Sequence, residues 1–599
     1  MHHGVIALLL ALLLFPFSAS AQMVGNPACP GEDVFYNPGN GEDIIVPNGY
    51  KVEVFVKDLN MPTDIAFANG RAYVLESGTG LPGRCNDNSL PVFGGKFAAT
   101  NPFTPDLLIF NMKGQLLAGP IGKPTAPGGG FQPDGPAIAL AFQHNFQGGT
   151  LFATDSNQGV RGAPGSGNNT SRIVTVHPGA GTVTPFIAGL PTGDHPTEQI
   201  VVKDGWIYWS QGSATNSGVT GLDNGAGGNQ HEIACEQITL SQNTFNSGSA
   251  NTSGYSNFGV TRPGAIVPAF EGATERGMCT GAILRARINS SHPEKTVEPF
   301  SWGYRNPFGI RFAPNDHALK GGLFVTENGE DERGARPVNN APDRLQLAQQ
   351  RPDGRPDYHG WPDRFGFLAS TQALFNPIGG PGDDNPAAAV GNPVLPVLAF
   401  PPQPPIAPLA ILPANVAAVG HDFAPNSFVT GIVRKGASLI SREGDFGFSP
   451  ENGTPGEGHD VMLVNFSKPG EPLRLELTRF AFNCPEGDQV RVPGMAPICL
   501  SSGDQAFVGE LRGINRPVTA RFGPDGALYL VDYGAVRDFG QADPDAKFKN
   551  PLDAPLVVIP HTGVVWKISR TNNNHGHGHD DDDDGHGHGK DKDNKGKDR

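Results

Sequence analysis

The feature that most restricts the fold of this chain is a degenerate repeat of five segments. Each segment has a polar or proline-containing start, an apolar strand, a tight glycine turn, a second apolar strand and an acidic or glycine-rich end. The segments begin at Leu59, Gly135, His195, Arg305 and Arg516, and a weaker copy begins at His421. Three turn dipeptides predict hairpins between alternating apolar runs: Asn69-Gly70, Asp204-Gly205 and Asp525-Gly526.

Repeated two-strand units in an all-β chain predict the blades of a propeller. A small sheet cannot bury its face alone, whereas radially stacked blades share a core and leave few open edges. Strands at 50–56 and 563–568 are expected to complete one blade together and close the ring. A pair of β-sandwiches is the alternative, but self-similarity argues against it. We therefore predict an all-β, six-bladed β-propeller over residues 50–570, with long loop insertions.

Composition excludes several other classes of protein. The 599 residues include 81 Gly and 56 Pro, and only 17% are charged, which excludes a coiled coil or helical bundle. No apolar run of about 18 or more residues follows the N-terminal segment, so a membrane span is not expected. The net charge of −15 argues against a nucleic-acid partner, since such proteins usually carry a basic stripe.

The N-terminal residues 1–21 have the features of an export signal. An apolar run at 5–17 precedes Ala19 and Ala21, which give the small-residue pattern of a cleavage site. Residues 22–49 are then an N-terminal extension of the mature chain. This pattern predicts a secreted or periplasmic protein.

The cysteines agree with export, because an even number in an oxidising compartment indicates disulfides. The six are Cys29, Cys85, Cys235, Cys279, Cys484 and Cys499. Of the 15 possible pairings, we favour Cys484 with Cys499, which staples one Pro-Gly-rich loop, and then Cys235 with Cys279.

The C-terminal segment 571–599 is a separate unit that we predict to be disordered, because it has no apolar residue with which to form a core. Five histidines alternate with glycine around an aspartate run at 580–584. Such a pattern can bind a divalent metal ion, and a solubilising tail is the alternative.

Polar residues at the starts of blades are expected to meet at the axial channel. Asp194-His195 begins one blade and has the composition of a general base oriented by a carboxylate. Arg305-Asn306 begins another, where the following proline favours extended backbone and Arg305 can stabilise an oxyanion or bind a carboxylate. A hydrogen-bonded structural histidine and a corner salt bridge are the alternatives.

The segment after Arg305 is acidic at 327–332, at Asp343 and at Asp357. Carboxylates mixed with loop carbonyls suit Ca²⁺, which prefers oxygen ligands. The spacing is not that of an EF-hand, and a solvated acidic loop is the alternative.

A family resemblance emerges from these same residues. The sequences WGYRNPFG at 302–309, TENG at 326–329 and YHGWP at 358–362 together resemble the signature of the glucose/sorbosone dehydrogenase family. The strands that follow Asp194-His195 and Arg516 are similar to two further blades of that family. Its members are exported six-bladed propellers that use pyrroloquinoline quinone (PQQ) and Ca²⁺.

The resemblance implies a role for each matched position around the quinone. His195 corresponds to the base that takes the substrate hydroxyl proton, and Asp194 supports it. Arg305 corresponds to the group that stabilises charge on a quinone oxygen. Asn306 and Arg516 correspond to further cofactor contacts.

The resemblance also implies a Ca²⁺ site, which would polarise a quinone carbonyl. Gly329 and Glu330 correspond to its loop, with main-chain oxygens as ligands, and Asp343 and Tyr358 to further positions. Arg344 departs from the family, which usually has a glutamate there, so Asp331 or Glu332 is left to compensate.

Three other family positions also depart. Asp134 or a neighbour replaces a polar residue of the second blade, and Val518 replaces an arginine of some members. The expected lysine of the fifth blade is matched only loosely by Arg442 or Lys435.

The sequence thus predicts an exported PQQ- and Ca²⁺-dependent dehydrogenase that oxidises a sugar or related alcohol or aldehyde and passes electrons to an external acceptor. A non-catalytic propeller that binds carbohydrate or protein is the first alternative. The second is a metal-dependent, lactonase-like hydrolase, with Glu76, Asn216 and Asp532 as ligands.

Overall fold

The computed structural model describes residues 22–24, 34–36, 38–78, 103–124, 128–133, 135–157, 169–221, 230–376, 391–444, 458–501, 512–538, 556–558 and 560–571. Within these ranges the chain forms strands and four short 3₁₀ turns, with no α-helix. The predicted signal segment, Asp134, Cys29, Cys85 and all but the first residue of the predicted tail lie outside them. No helix in the described part of the chain is long and apolar enough to cross a membrane.

Six antiparallel sheets, each built around four strands, form the blades of a six-bladed β-propeller, as predicted. Blades 1 and 2 consist, from the first strand outward, of Pro62–Ala68, Arg71–Glu76, Asp106–Asn111 and Leu116–Ile121, and of Leu140–His144, Gly148–Asp155, Ser171–His177 and Thr182–Leu190. Blades 3 and 4 consist of Thr197–Lys203, Trp206–Gln211, Ala282–Arg287 and Glu298–Trp302, and of Ile310–Phe312, Leu323–Glu327, Pro342–Ala348 and Ala410–Ala414. Blades 5 and 6 consist of Ala418–Phe423, Ser438–Arg442, Asp460–Phe466 and Leu475–Asn483, and of Pro517–Phe522, Leu528–Asp532, Gly563–Arg570 and Tyr50–Leu59.

The predicted repeats are the first two strands of each blade, including the weaker copy near His421, which forms the start of blade 5. The ring closes because Tyr50–Leu59 pairs antiparallel with Gly563–Arg570, as the sequence predicts. The first strands of successive blades are neighbours around the axis, and that of blade 6 packs against that of blade 1. The polar residues that precede these strands are therefore gathered at one end of the ring.

Two of the predicted hairpin turns have the backbone that their residues favour. Asn69 and Gly70 have φ of 51° and 70°, and Asp204 and Gly205 have φ of 51° and 78°. Positive φ at both central residues is typical of a type I′ turn, which matches the twist of adjacent strands.

Additional short strands decorate this ring. Asp357–Tyr358 adds a parallel fifth strand to the outer edge of blade 3, and Ile44–Ile45 adds an antiparallel fifth strand to blade 5. The remaining short strands pair as Gln22–Val24 with Val34–Tyr36, Ile238–Thr239 with Ile266–Val267, Phe245–Asn246 with Asn251–Thr252, Arg364–Phe365 with Leu368–Ala369, Gln489–Val490 with Ile498–Cys499, and Val536–Asp538 with Leu556–Val558. The 3₁₀ turns are Pro293–Thr296, Ala373–Phe375, Asn426–Phe428 and Glu486–Asp488.

The core lies between the faces of adjacent blades. Trp566 is fully buried between blades 5 and 6, and Tyr529 between blades 6 and 1. Both favoured disulfides form, Cys235–Cys279 in the long excursion of blade 3 and Cys484–Cys499 just after blade 5. The covalent links thus hold loops, while apolar packing between sheets builds the ring.

Candidate functional site

The turn that follows the second strand of blade 3 places His195 beside Arg305. The amide of His195 donates to the carbonyl of Ser213 at 3.0 Å, and the amide of Ser213 donates to the carbonyl of Arg305 at 2.8 Å. Gly212 leaves room for this approach, because a Cβ there would overlap the Cβ of His195. One residue, Ser213, thus ties the start of blade 3 to the start of blade 4.

The guanidinium of Arg305 is buried, with 3% of the residue exposed, and it faces two carboxylates. Its Nη2 lies 2.6 Å from Asp331 Oδ2 and 3.8 Å from Asp194 Oδ2, and its Nε donates to the carbonyl of Asn216 at 3.2 Å. The structure therefore brings Asp194, His195 and Arg305 together at one end of the ring.

A residue that the sequence analysis missed, Arg333, completes this group. Arg333 Nη2 lies 2.6 Å from Asp194 Oδ2, and its Nε lies 3.0 Å from Asp331 Oδ2. Asn216 fixes the loop, since its Nδ2 donates to the carbonyls of Asp331 and Arg333 and its Oδ1 accepts from the Asp331 amide. The four charged side chains alternate in sign.

The electrostatics of this group keep the imidazole of His195 neutral. Burial and the nearby Arg305 lower the pKa of His195 to about 3, against the opposing influence of Asp194. Burial alone would raise the pKa of Asp194, but Arg333, His195 and Arg305 hold it well below its usual range. The ring stays reachable, with 19% of the side chain exposed, and Nε2 lies 3.4 Å from Asp194 Oδ2. An uncharged imidazole at neutral pH is able to accept a proton.

Asn306 lies next in the chain and offers an oxygen without a partner. Its Nδ2 donates to Asn328 Oδ1 at 3.0 Å, and the amide of Asn328 donates to the carbonyl of Asn306 at 3.1 Å. Asn306 Oδ1 is buried and has no hydrogen-bond partner among the described residues. This oxygen is therefore available to a ligand.

The predicted metal positions Gly329, Glu330 and Asp343 lie on one loop and the strand after it. Asp343 joins that loop to blade 5, because one of its oxygens accepts from the amide of Gly329 at 2.8 Å and the other from the amide of Ala418 at 2.7 Å. Burial raises the pKa of Asp343 to about 6 and the pKa of Glu330 to about 7, although Arg344 and Arg305 oppose both. Neither carboxylate oxygen of Glu330 has a hydrogen-bond partner in the described chain, and the residue is 1% exposed.

Oxygen donors of this kind fit a hard cation such as Ca²⁺. No three His, Cys, Asp or Glu side chains of the described residues stand close enough together to hold an ion by themselves. Main-chain oxygens of Gly329 and Glu330 would therefore have to supply part of the shell. Asp331, the suggested compensating ligand, is already paired with Arg305 and Arg333.

Tyr358 and Arg344 both have structural partners. The Tyr358 hydroxyl donates to the carbonyls of Gly360 and Trp361, each at 3.1 Å, and so closes the turn in which it lies. Arg344 is fully buried, and its Nη2 pairs with Glu327 Oε1 at 2.7 Å. No hydrogen bond joins Tyr358 to the 329–343 loop among the described residues.

Two glutamates that the sequence analysis did not predict, Glu198 of blade 3 and Glu443 of blade 5, lie near each other. Beside Glu198, Gln199 Nε2 donates to Thr519 Oγ1 of blade 6 at 3.0 Å, so the first strands of blades 3 and 6 meet across the ring. Glu198 is buried with an unpartnered Oε2, and burial and the nearby Glu443 raise its pKa well above the usual range. Burial raises the pKa of Glu443 itself to about 7, against the influence of Arg516.

Arg516 stands at the start of blade 6, where its amide donates to Asp532 Oδ1 at 2.8 Å. The two candidates for the missing lysine are engaged elsewhere, Arg442 with buried Asp460 and Lys435 with exposed Asp316. Val518 packs in the core between blades 6 and 1. Arg516 therefore remains the candidate cofactor-binding cation of blade 6, and its Nη1 donates to the carbonyl of Gly444, next to Glu443, at 3.4 Å.

The residues considered for a lactonase-like ion are held by separate hydrogen bonds. Glu76 accepts from the Asn60 amide at 2.6 Å, Asn216 holds the 331–333 loop, and Asp532 accepts from Asn515, Arg516, Gly534 and Trp566. They form no metal-binding group in the described part of the chain.

No protein-family model and no curated protein matches this chain. Among solved structures, the holo pyranose dehydrogenase PQQ domain from Coprinopsis cinerea is 14% identical with a TM-score of 0.46, covering 89% of this chain and 97% of that one. A Trichoderma reesei structure from carbohydrate-active enzyme family AA12 is 16% identical with a TM-score of 0.45, covering 90% and 99%. A glucose dehydrogenase is 11% identical with a TM-score of 0.43, covering 87% and 100%. Each of these three structures is similar to this chain over most of its length.

Proposed function

We propose that this protein is an exported dehydrogenase that oxidises a sugar or a related alcohol or aldehyde with PQQ and Ca²⁺ and passes the electrons to an external acceptor. The observation that carries the proposal is the placement of a neutral imidazole, His195, beside the guanidinium of Arg305 at one end of the ring. The motifs around Asp194, Arg305 and Tyr358 supply the cofactor assignment. The two disulfides agree with an oxidising compartment.

In this proposal His195 acts as the general base for the substrate hydroxyl. We assign the proton of the neutral ring to Nε2, which lies 3.4 Å from Asp194 Oδ2, so that Nδ1 takes the hydroxyl proton. Arg305 is placed to stabilise negative charge that develops beside the imidazole. When bound, the quinone would accept a hydride and the cation would polarise it.

The residues present fit both the quinone and Ca²⁺, provided that Glu198 and Glu443 are protonated. Unpartnered oxygens of Glu330 and Asn306 suit a cation and a polar ligand, and Arg516 suits an anionic one. Glu198 and Glu443 have raised pKa values, so at mildly acidic pH they are protonated and donate hydrogen bonds instead of repelling an anion.

This condition predicts that PQQ binds more weakly as pH rises through about 7. Above this pH Glu443 loses its proton and gains negative charge near Arg516. With one linked proton, the Kd is expected to rise about tenfold between pH 6 and pH 8. Absorbance titrations at both pH values measure it, and Glu443→Gln is expected to flatten the dependence. An affinity that is constant or rises over this range contradicts the prediction.

The cation site predicts an effect of Glu330 that is independent of activity. Glu330→Gln removes the unpartnered carboxylate, and we expect affinity for Ca²⁺ to fall at least about tenfold, because ligand charge sets calcium affinity. Calorimetry with Ca²⁺ alone measures this, with Glu471→Gln on an exposed turn as the control. Equal affinity of Glu330→Gln and Glu471→Gln for Ca²⁺ would show that Glu330 is not a ligand of the cation.

The decisive assay is reduction of an artificial electron acceptor by the purified protein with PQQ, Ca²⁺ and a panel of sugars. We expect turnover that requires both additions. Absence of PQQ binding would contradict the proposal.

A further inference from the structure

Arg333 connects two blades through the carboxylate beside the proposed base. It lies between the second and third strands of blade 4, and its Nη2 reaches Asp194 of blade 3 at 2.6 Å. This is shorter than the 3.4 Å between Asp194 Oδ2 and His195 Nε2 and the 3.8 Å between Asp194 Oδ2 and Arg305 Nη2. The closest of these three partners of Asp194 is therefore Arg333, not the imidazole.

The surroundings of this contact differ from those of an exposed ion pair. The Asp194 side chain is 8% exposed and that of Arg333 is 24% exposed. Arg333 is held a second time by Asp331 at 3.0 Å, and its main-chain oxygen accepts from Asn216 at 3.0 Å. A guanidinium that contacts two carboxylates and is partly desolvated interacts more strongly with them than a fully solvated guanidinium does.

We propose that Arg333 is a positioning residue: it holds the Asp194 carboxylate and, in addition to burial and Arg305, disfavours a charged imidazole at His195, so that the ring stays open to the substrate. This role rests on the proposed function of His195. The charged groups that face His195 are Asp194, Arg305, Arg333 and Asp331, two of each sign. With Arg333 removed, Asp194 and Asp331 face a single guanidinium, so a protonated imidazole gains a stabilising partner.

The test is a proton NMR titration of His195 in the full-length protein without added cofactor. His195→Asn identifies the signal. In the unaltered protein we expect no titration of His195 between pH 5 and pH 8. In Arg333→Gln we expect the midpoint to move upward by about 2–3 pH units, into this range, as for a group that gains an opposite charge. Arg333→Lys keeps the positive charge and is expected to restore most of the original behaviour.

The matched control is Arg355→Gln, because Arg355 forms an exposed pair with Asp353 and does not touch the group. Absence of a His195 titration between pH 5 and pH 8 in Arg333→Gln, as in the unaltered protein, overturns the proposal, and so does a midpoint in Arg333→Lys equal to that in Arg333→Gln. The titration needs no turnover, so it decides the role of Arg333 even if no sugar is oxidised. If turnover is found, the pH below which kcat/KM falls is expected to be higher in Arg333→Gln than in the unaltered protein.

Discussion

Replacing His195 with asparagine is expected to lower kcat by about 10³-fold, within the range that a positioned general base supplies. Asparagine keeps a polar side chain of similar reach but has no nitrogen that accepts a proton. The imidazole shares Asp194 with Arg305, and its pKa of about 3 keeps it uncharged across the neutral range. Steady-state kinetics with saturating PQQ and Ca²⁺ measure the effect.

Two controls separate this effect from damage to the fold or to cofactor binding. His292→Asn changes a histidine whose side chain is 74% exposed, and it is expected to leave kcat unchanged. Unfolding curves and PQQ titrations of His195→Asn are expected to match those of the unaltered protein. Full activity of His195→Asn contradicts the assignment of the base.

Replacing Arg344 with methionine is expected to lower the free energy of unfolding by about 3–5 kcal/mol, the usual effect of removing one partner of a buried ion pair. Arg344 and Glu327 have side chains that are each 1% exposed, and their contact is 2.7 Å long. Glu327 would remain in the interior with only the Arg305 amide and Gln346 Nε2 as donors. Urea denaturation measures the loss.

The double variant Arg344→Met with Glu327→Gln tests the cause, because it removes the uncompensated charge and is expected to recover part of the loss. Arg434 supplies the matched control, since it pairs with Glu476 at 2.6 Å but both side chains are 54% exposed. Arg434→Met is expected to change stability by about 0–1 kcal/mol. An equal effect at Arg344 and Arg434 contradicts this account.

The fold follows from the sequence because its units are local. Each predicted two-strand segment contains its own turn. Asn69-Gly70 and Asp204-Gly205 adopt the positive φ angles that Asn-Gly and Asp-Gly dipeptides favour. Ring closure also follows, since the first and last strands had no other partner in sequence. The strand Ile44–Ile45 was assigned to an extension instead, because a two-residue edge strand has no periodicity to detect.

Only those residues of the candidate site that stand at the start of a blade could be predicted from the sequence. Asp194, His195 and Arg305 occupy equivalent positions of the repeat, so the symmetry of a propeller brings them together. Arg333 lies in a loop without a repeat, and its partner Asp194 is 139 residues away. The proximity of Glu198 and Glu443 was missed for the same reason, because it arises only when blades 3 and 5 stand in one ring.

The structural partner of Arg344 also lay beyond sequence reasoning. The pattern of the resembled family indicated that a glutamate was missing at this position, but not what the arginine does instead. Its contact with Glu327 depends on the register between the second and third strands of blade 4, in which these two residues are directly paired. The arginine therefore completes a buried ion pair on one sheet.

The most direct test of the account is a single turnover of the PQQ- and Ca²⁺-loaded protein with excess sugar and without an electron acceptor, followed by the absorbance of the quinone. The account predicts that the unaltered protein reduces its bound quinone and that His195→Asn does so about 10³-fold more slowly. A bound quinone that remains oxidised in the unaltered protein with every sugar, alcohol and aldehyde tried contradicts it.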